Sequence, residues 1–159
     1  MSDDKQEFFD RLDKVQAGML GLTKDGETVP MAPQLRKDQD GKIWFITAQG
    51  TDLVQGVAAG PQEARLVVAD SESGLYANVE GKLSLSHDPD VLDELWSPMA
   101  AAWFEDDRKD PDVRLLCFEP SFAACWFNTT SGVKFLYEIA KANLSDTQPD
   151  TGRKTEVRF

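Results

Sequence analysis

The stretch Ile43–Val57, IWFITAQGTDLVQGV, decides the fold. Ile43 to Ile46 is an unbroken apolar and aromatic run, which suits a strand buried on both faces rather than one half exposed to water. The chemistry then changes abruptly. Thr47, Gln49, Gly50 and Thr51 make a small polar turn, and Asp52–Ala59 carries Leu53, Val54 and Val57 at helical spacing. The reading is strand, turn, short helix, with Thr51 as the N-cap whose hydroxyl accepts from the first exposed backbone donors. Two hydroxyls at a helix N-terminus, with unpaired N–H groups and the positive end of a dipole, make a generic anion or phosphate cradle. A capped helix after a core strand carries the same signature and needs no ligand.

Upstream, Phe8, Leu12 and Val15 recur at spacings of four and three, predicting an amphipathic helix over residues 3–15 with Phe9 widening its stripe. Gly18 and Gly21 frame a short strand at 17–23, where a neighbour or ligand approaches the backbone closely. Asp25-Gly26 is a two-residue hairpin signal leading into Val29–Leu35. Pro30 and Pro33 each remove an amide donor, so that segment is an edge, is interrupted, or leaves its free groups to something else.

Downstream, Ala64–Ala69 reads as a second strand apolar on both sides. Ala77, Val79, Gly81, Leu83 and Leu85 then alternate strictly with Asn78, Glu80, Lys82, Ser84 and Ser86, predicting a long antiparallel strand with one wet face. A helix over 89–97, capped by Asp88 with Pro89 at its first position, is followed by a further helical turn at Met99–Phe104. Val113–Phe118 and Phe122–Phe127 read as two strands joined by a tight Glu119-Pro120-Ser121 hairpin. A C-terminal helix over about 132–143 offers Val133, Leu136, Ile139 and Ala140 to a core, placing one domain over 1–145. Residues 146–159 form a polar tail, mobile or ending in a short strand at Glu156–Phe159. The whole predicts a mainly β protein with peripheral helices, a compact antiparallel barrel.

Composition limits the functions open to such a fold. The 159 residues suffice for one domain with a real core. With 17 basic against 28 acidic residues the net charge is −11, a field that repels nucleic acid and anionic membrane. No window approaches a spanning helix and the N-terminus has no signal-like apolar core, so a soluble cytoplasmic protein is expected. Cys117 and Cys125 sit inside apolar runs and read as buried, reduced thiols. His87 is the one histidine, which removes most His-based catalytic constellations and any multi-histidine metal site. No metal site and no catalytic acid or base stands out; Tyr76, Asn78 and Glu80 on the wet face are the polar groups within reach of a ligand.

Ala17-Gly18-Met19-Leu20, Pro30-Met31-Ala32-Pro33, the run Ile43–Thr47 with Thr51-Asp52-Leu53-Val54, Leu95-Trp96-Ser97-Pro98 with Ala102-Trp103-Phe104, Asp110-Pro111 with Leu115-Leu116, and Ala124–Trp126 stand in a characteristic order. In that order and spacing the chain resembles the pyridoxamine-phosphate-oxidase-like split-barrel flavoproteins, specifically the bacterial general stress protein 26 group, over roughly residues 5–140. The resemblance implies a six-stranded antiparallel split barrel forming a tight homodimer, with FMN in clefts shared by both subunits. It implies that the strand carrying Pro30, Met31, Ala32 and Gln34 runs beside the isoalloxazine ring. It further implies that Ile46, Thr47, Thr51, Asp52 and Leu53 line the phosphate turn and that Trp126 approaches from the partner subunit.

The family's oxidases carry basic side chains at the two positions occupied here by Asp52 and Leu53, and also at the first ring-strand positions. In this chain Arg36 and Lys37 lie just past that strand. Oxidation of pyridoxamine phosphate itself is not expected, since its phosphate needs further cations. The function implied is a flavin oxidoreductase of low activity linked to general stress. The alternatives are a dimeric binding or interaction protein that has lost the cofactor, or a binder of another planar cofactor such as haem or a deazaflavin.

Overall fold

Strict alternation makes Leu75–Ser86 (β5) the strand on which the sheet is built, and its inward residues Leu75, Ala77, Val79 and Leu83 are all buried. The structure, a computed structural model, describes residues 3–128, 132–145 and 152–159, with side chains of the last helix from residue 136 onward. β5 pairs antiparallel with β4 (Gln62–Asp70) on one edge and with β6 (Val113–Asn128) on the other. β4 carries β1 (Gly18–Leu22), which carries β2 (Val29–Met31). β6 carries β3 (Ile43–Ala48) along its first half and β7 (Gly152–Arg158) along its second. The path β2-β1-β4-β5-β6-β3 nearly closes on itself. Beyond β2 the chain reaches β3, where the Gln34 N–H donates to the Trp44 carbonyl at 2.8 Å and the Trp44 N–H returns a bond to Gln34 at 2.9 Å. The expected mainly β, six-stranded antiparallel barrel is thus present, with its seam at the proline-interrupted segment.

Helix α1 (Asp3–Leu12) closes the barrel by burying Phe8, Phe9 and Leu12, and Phe159 meets both phenylalanines edge-on at 5.3 and 5.7 Å. Arg11 ties the same helix to three carbonyls, donating from Nη1 to Ser73, Gly74 and Asn128 at 3.1, 3.1 and 2.8 Å. α2 (Asp52–Gly56) follows β3. α3 (Pro89–Leu95) covers the outside of β3 and β6, enclosing Trp44, Leu115 and Cys117 with Val91 and Leu95. The run Ile43–Ile46 is therefore buried on both faces as its composition predicts, Ile43 and Phe45 inward and Trp44 outward. α4 (Pro98–Ala101) and α5 (Gly132–Ser145) complete the helices.

Four expectations are corrected. β6 is one continuous strand, not a hairpin: Gly81 faces Pro120 and Glu80 faces Phe122, leaving Ser121 as a bulge. A proline without an amide donor is tolerated at such an irregularity. β4 is buried on one face only, because no described residue covers Val67 and Ala69. The Asp25-Gly26 signal does mark a hairpin, with Gly26 at φ +72°, but the connection spans the six residues between Leu22 and Val29. Finally, α5 does not offer its apolar side to the core: Leu136 is 68% and Leu144 90% exposed. The side chain of Val133 and residues 146–151 lie outside the described residues.

Candidate functional site

The turn after β3 forms as its residues dictate. The Thr51 hydroxyl accepts from the Val54 N–H at 3.4 Å and donates to the Ala48 carbonyl at 3.2 Å, and Gln55 Nε2 donates to Gly50 O at 3.2 Å. Gly50 supplies the φ of +84° that the turn requires. Leu53 and Val54 drop into the barrel core, while Asp52 stays exposed on the first turn of α2. Thr47 faces Arg114 across the β3–β6 ladder, a pairing between residues 67 positions apart that no local pattern announces. Arg114 staples the turn in place: Nη2 donates to Gln49 Oε1 at 2.8 Å, and Nη1 donates to the carbonyls of Pro111 and Val113 at 2.7 and 2.8 Å. The Gln49 N–H adds a bond to the Asp112 carbonyl at 2.8 Å.

The seam strand lies beside this turn. Pro30 pairs with Met19, Met31 packs against the barrel core, Pro33 is buried, and Gln34 is held on Trp44. What remains at the surface is an apolar strip, with Val29 44% exposed and Pro30 and Ala32 exposed beside it. A cavity of about 680 Å³ opens between this strip and α2, lined by Leu20, Leu22, Val29 and Leu53 on its apolar side. Its polar lining is Lys24, Asp25, Glu27, Asp52 and Gln55. Its size falls in the range of about 300–1,000 Å³ typical of small-molecule sites. Lys24 is a lining residue that sequence reading passed over; its place follows only from the pairing of β1 with β2.

Of the other expected site residues, Ile46 is turned away and packs on the cluster under α3. Trp126 is 41% exposed on the outer sheet face. Pro30 and Met19 lie in one cross-strand row with Val67, Asn78 and Ala124, and Trp126 pairs with Tyr76 in the next row. Along the sheet, β1, β4 and β5 lie between β2 and the strand that carries Trp126.

Arg36, just past the seam strand, is committed. Arg36 donates from Nε and Nη2 to Glu94 Oε1 at 3.3 and 3.2 Å, and the Lys37 N–H donates to Glu94 Oε2 at 3.1 Å. The hydrogen bond from Arg36 holds the Glu94 carboxyl below the usual carboxylate range. Arg36 is thus bound to α3 rather than held for an anion. The thiols of Cys117 and Cys125 are buried and far from thiolate character, burial pushing them up to about 11 and about 12. His87 sits on an exposed loop, and among the described residues no three His, Cys, Asp or Glu side chains cluster as metal ligands. No described helix is long and apolar enough to cross a membrane.

Comparison with known proteins places this geometry. Residues 3–150 match the family described as pyridoxamine 5'-phosphate oxidase like. General stress protein 26 of Bacillus subtilis (strain 168) is 28% identical over 121 residues, spanning 74% of this chain and 84% of that protein. A crystal structure of a general stress protein 26-type protein from Jannaschia sp. CCS1 superposes with a TM-score of 0.93 at 50% identity over 98% of both chains. The general stress FMN/FAD binding protein of Xanthomonas citri superposes with a TM-score of 0.71 at 32% identity, covering 82% of this chain and 93% of that one. A full-length match in sequence and in fold makes the chain a member of the pyridoxamine 5'-phosphate oxidase-like family, in its general stress protein 26 group.

Proposed function

We propose that this protein is a flavin-binding dimer, with FMN the cofactor its family membership implies, acting as an oxidoreductase of low activity in the cytoplasmic response to general stress. The observation that carries the reading is the exposed apolar edge at the barrel seam, where Val29 lines a cavity bounded by α2 and Pro30 and Ala32 are exposed beside it. A planar ring system needs such a strip. The flavin, when bound, supplies the electron chemistry, and the protein supplies position and polarity. Pro30 and Ala32 would lie against the ring face, with Met31 and Gln34 fixing the strand behind it. The Thr47–Thr51 turn and Asp52 would border the flavin's side chain. The relative described as an FMN/FAD binding protein supports the flavin assignment.

The homodimer is part of the same proposal. The outer face of β1, β4, β5 and β6 exposes Met19, Val67 and Trp126 together, an apolar surface that a monomer would leave in water. In the same proposal Trp126, on this outer face, reaches the ring from the second copy. The test is to incubate the purified protein with excess flavin, desalt it, and record the absorbance spectrum and elution volume. A retained flavin spectrum on a dimer is expected. A colourless dimer would instead favour the second reading, an interaction protein that has kept the barrel and lost the cofactor. The carboxylates around the cavity are the observation on that side.

A further inference from the structure

Resting on the flavin reading above, we infer that this site selects its flavin by the ring system alone and gives no advantage to a terminal phosphate. Riboflavin, with its neutral hydroxyl tail, is bound as well as FMN or better. A flavin side chain that follows the turn bearing Asp52 enters the cavity that Asp52 and Leu53 share with Val29. A phosphate monoester, carrying a charge of about −1.5 to −2 at neutral pH, would there meet Lys24 against Asp25, Glu27 and Asp52.

The two arginines that could offset this hold other partners. Arg36 is clasped by Glu94, and Arg114 places three of its N–H donors on Gln49 and two backbone carbonyls. Leu53 lines the cavity with an apolar side chain that is 7% exposed, so its position delivers no donor there. The Thr51 hydroxyl has its proton on Ala48 O and its lone pair on the Val54 N–H. Among the described residues no buried side-chain nitrogen or oxygen waits for a partner. Each charge-assisted bond to a phosphate is worth roughly ten- to a hundredfold in affinity, and among the cavity's side chains Lys24 alone offers one, against three carboxylates. This donor set does not fit the phosphate of FMN.

The experiment is a pair of fluorescence-quenching titrations of the purified full-length protein with riboflavin and with FMN, each at low and at high salt. Equal dissociation constants within about threefold, or riboflavin the tighter, are expected. FMN affinity should rise with salt, because screening relieves repulsion among like charges. Asp52→Lys, an exposed substitution that leaves the core untouched, should raise the preference for FMN over riboflavin at least about tenfold. Wild-type protein binding FMN more than about thirtyfold tighter than riboflavin, with affinity falling as salt rises, would overturn the inference. So would an unchanged preference in Asp52→Lys. Retention of neither flavin would overturn the flavin reading itself, a result distinct from a phosphate preference.

Discussion

The bulge that makes β6 a single strand is held open by the absence of one carbon atom. A Cβ built on Gly81 would lie 2.3 Å from the Glu119 carbonyl oxygen and 2.9 Å from both the Glu119 carbon and Pro120 Cα. Ordinary contact begins at 3.4 Å, so Gly81→Ala must push β5 and β6 apart by about 1 Å at that point, and the atoms met are all backbone. Overpacking of this kind costs about 1–3 kcal/mol, and the upper end applies because no side chain can swing aside. The less flexible unfolded chain returns about 0.4–1 kcal/mol. The net loss is about 2 kcal/mol, which for a domain of this length lowers Tm by about 4–8 °C. The assay is urea and thermal unfolding at fixed protein concentration, with the exposed neighbour Lys82→Ala as a control expected within about 0.5 kcal/mol of wild type. An unchanged or raised stability for Gly81→Ala would refute the continuous strand, since a hairpin at Glu119–Ser121 would leave Gly81 clear.

Further predictions concern the turn, the thiols and the outer face. Thr51→Ala removes the cap bond to Val54 and should cost about 0.5–2 kcal/mol in urea unfolding. Burial raises Cys117 and Cys125 from 9.0 to about 11 and about 12 in the folded state, so the fold holds these protons longer than the unfolded chain does. Their contribution is fully retained below pH 9.0 and is lost as pH rises from there through about 11 to 12. Unfolding midpoints followed across that window should fall, and thiol labelling at pH 8 should be slow until urea is added. Val67→Asp, on the outer face with its side chain outside the core, should shift the protein to a monomer by light scattering while leaving circular dichroism unchanged. A dimer that persists would place the interface elsewhere.

Local chemistry made part of this structure legible in advance. The Thr51 cap, the Asp88-Pro89 helix start and the alternation of β5 all depend on residues within a few positions of one another, and each is where its residue types require. The seam was legible for the same reason, because Pro30 and Pro33 each lack an amide donor and confine the segment to an interrupted edge. Pro120 misled because a proline between two apolar runs signals a turn, and only the glycine 39 positions earlier makes room for it inside a strand. The cations of the site were illegible on similar grounds. Arg36 finds Glu94 across 58 positions, and Arg114 reaches Thr47 and Gln49 only once β6 lies beside β3. The α5 pattern is amphipathic, but Asn128 and Gly152, the ends of the excursion that holds it, are partners across β6 and β7. The chain leaves and returns at one point, and periodicity alone does not say that the helix stands off the core.

The central claim is that a flavin ring lies on the Val29–Ala32 strip, within reach of Trp126 from a second copy. The most direct test is a crystal structure of the protein grown with riboflavin. The account predicts isoalloxazine density along that strip, the ribityl chain in the cavity beside Asp52, and the ring approached by Trp126 of the neighbouring protomer of a dimer. Density at any other place, or a ring that no second copy approaches, would contradict it.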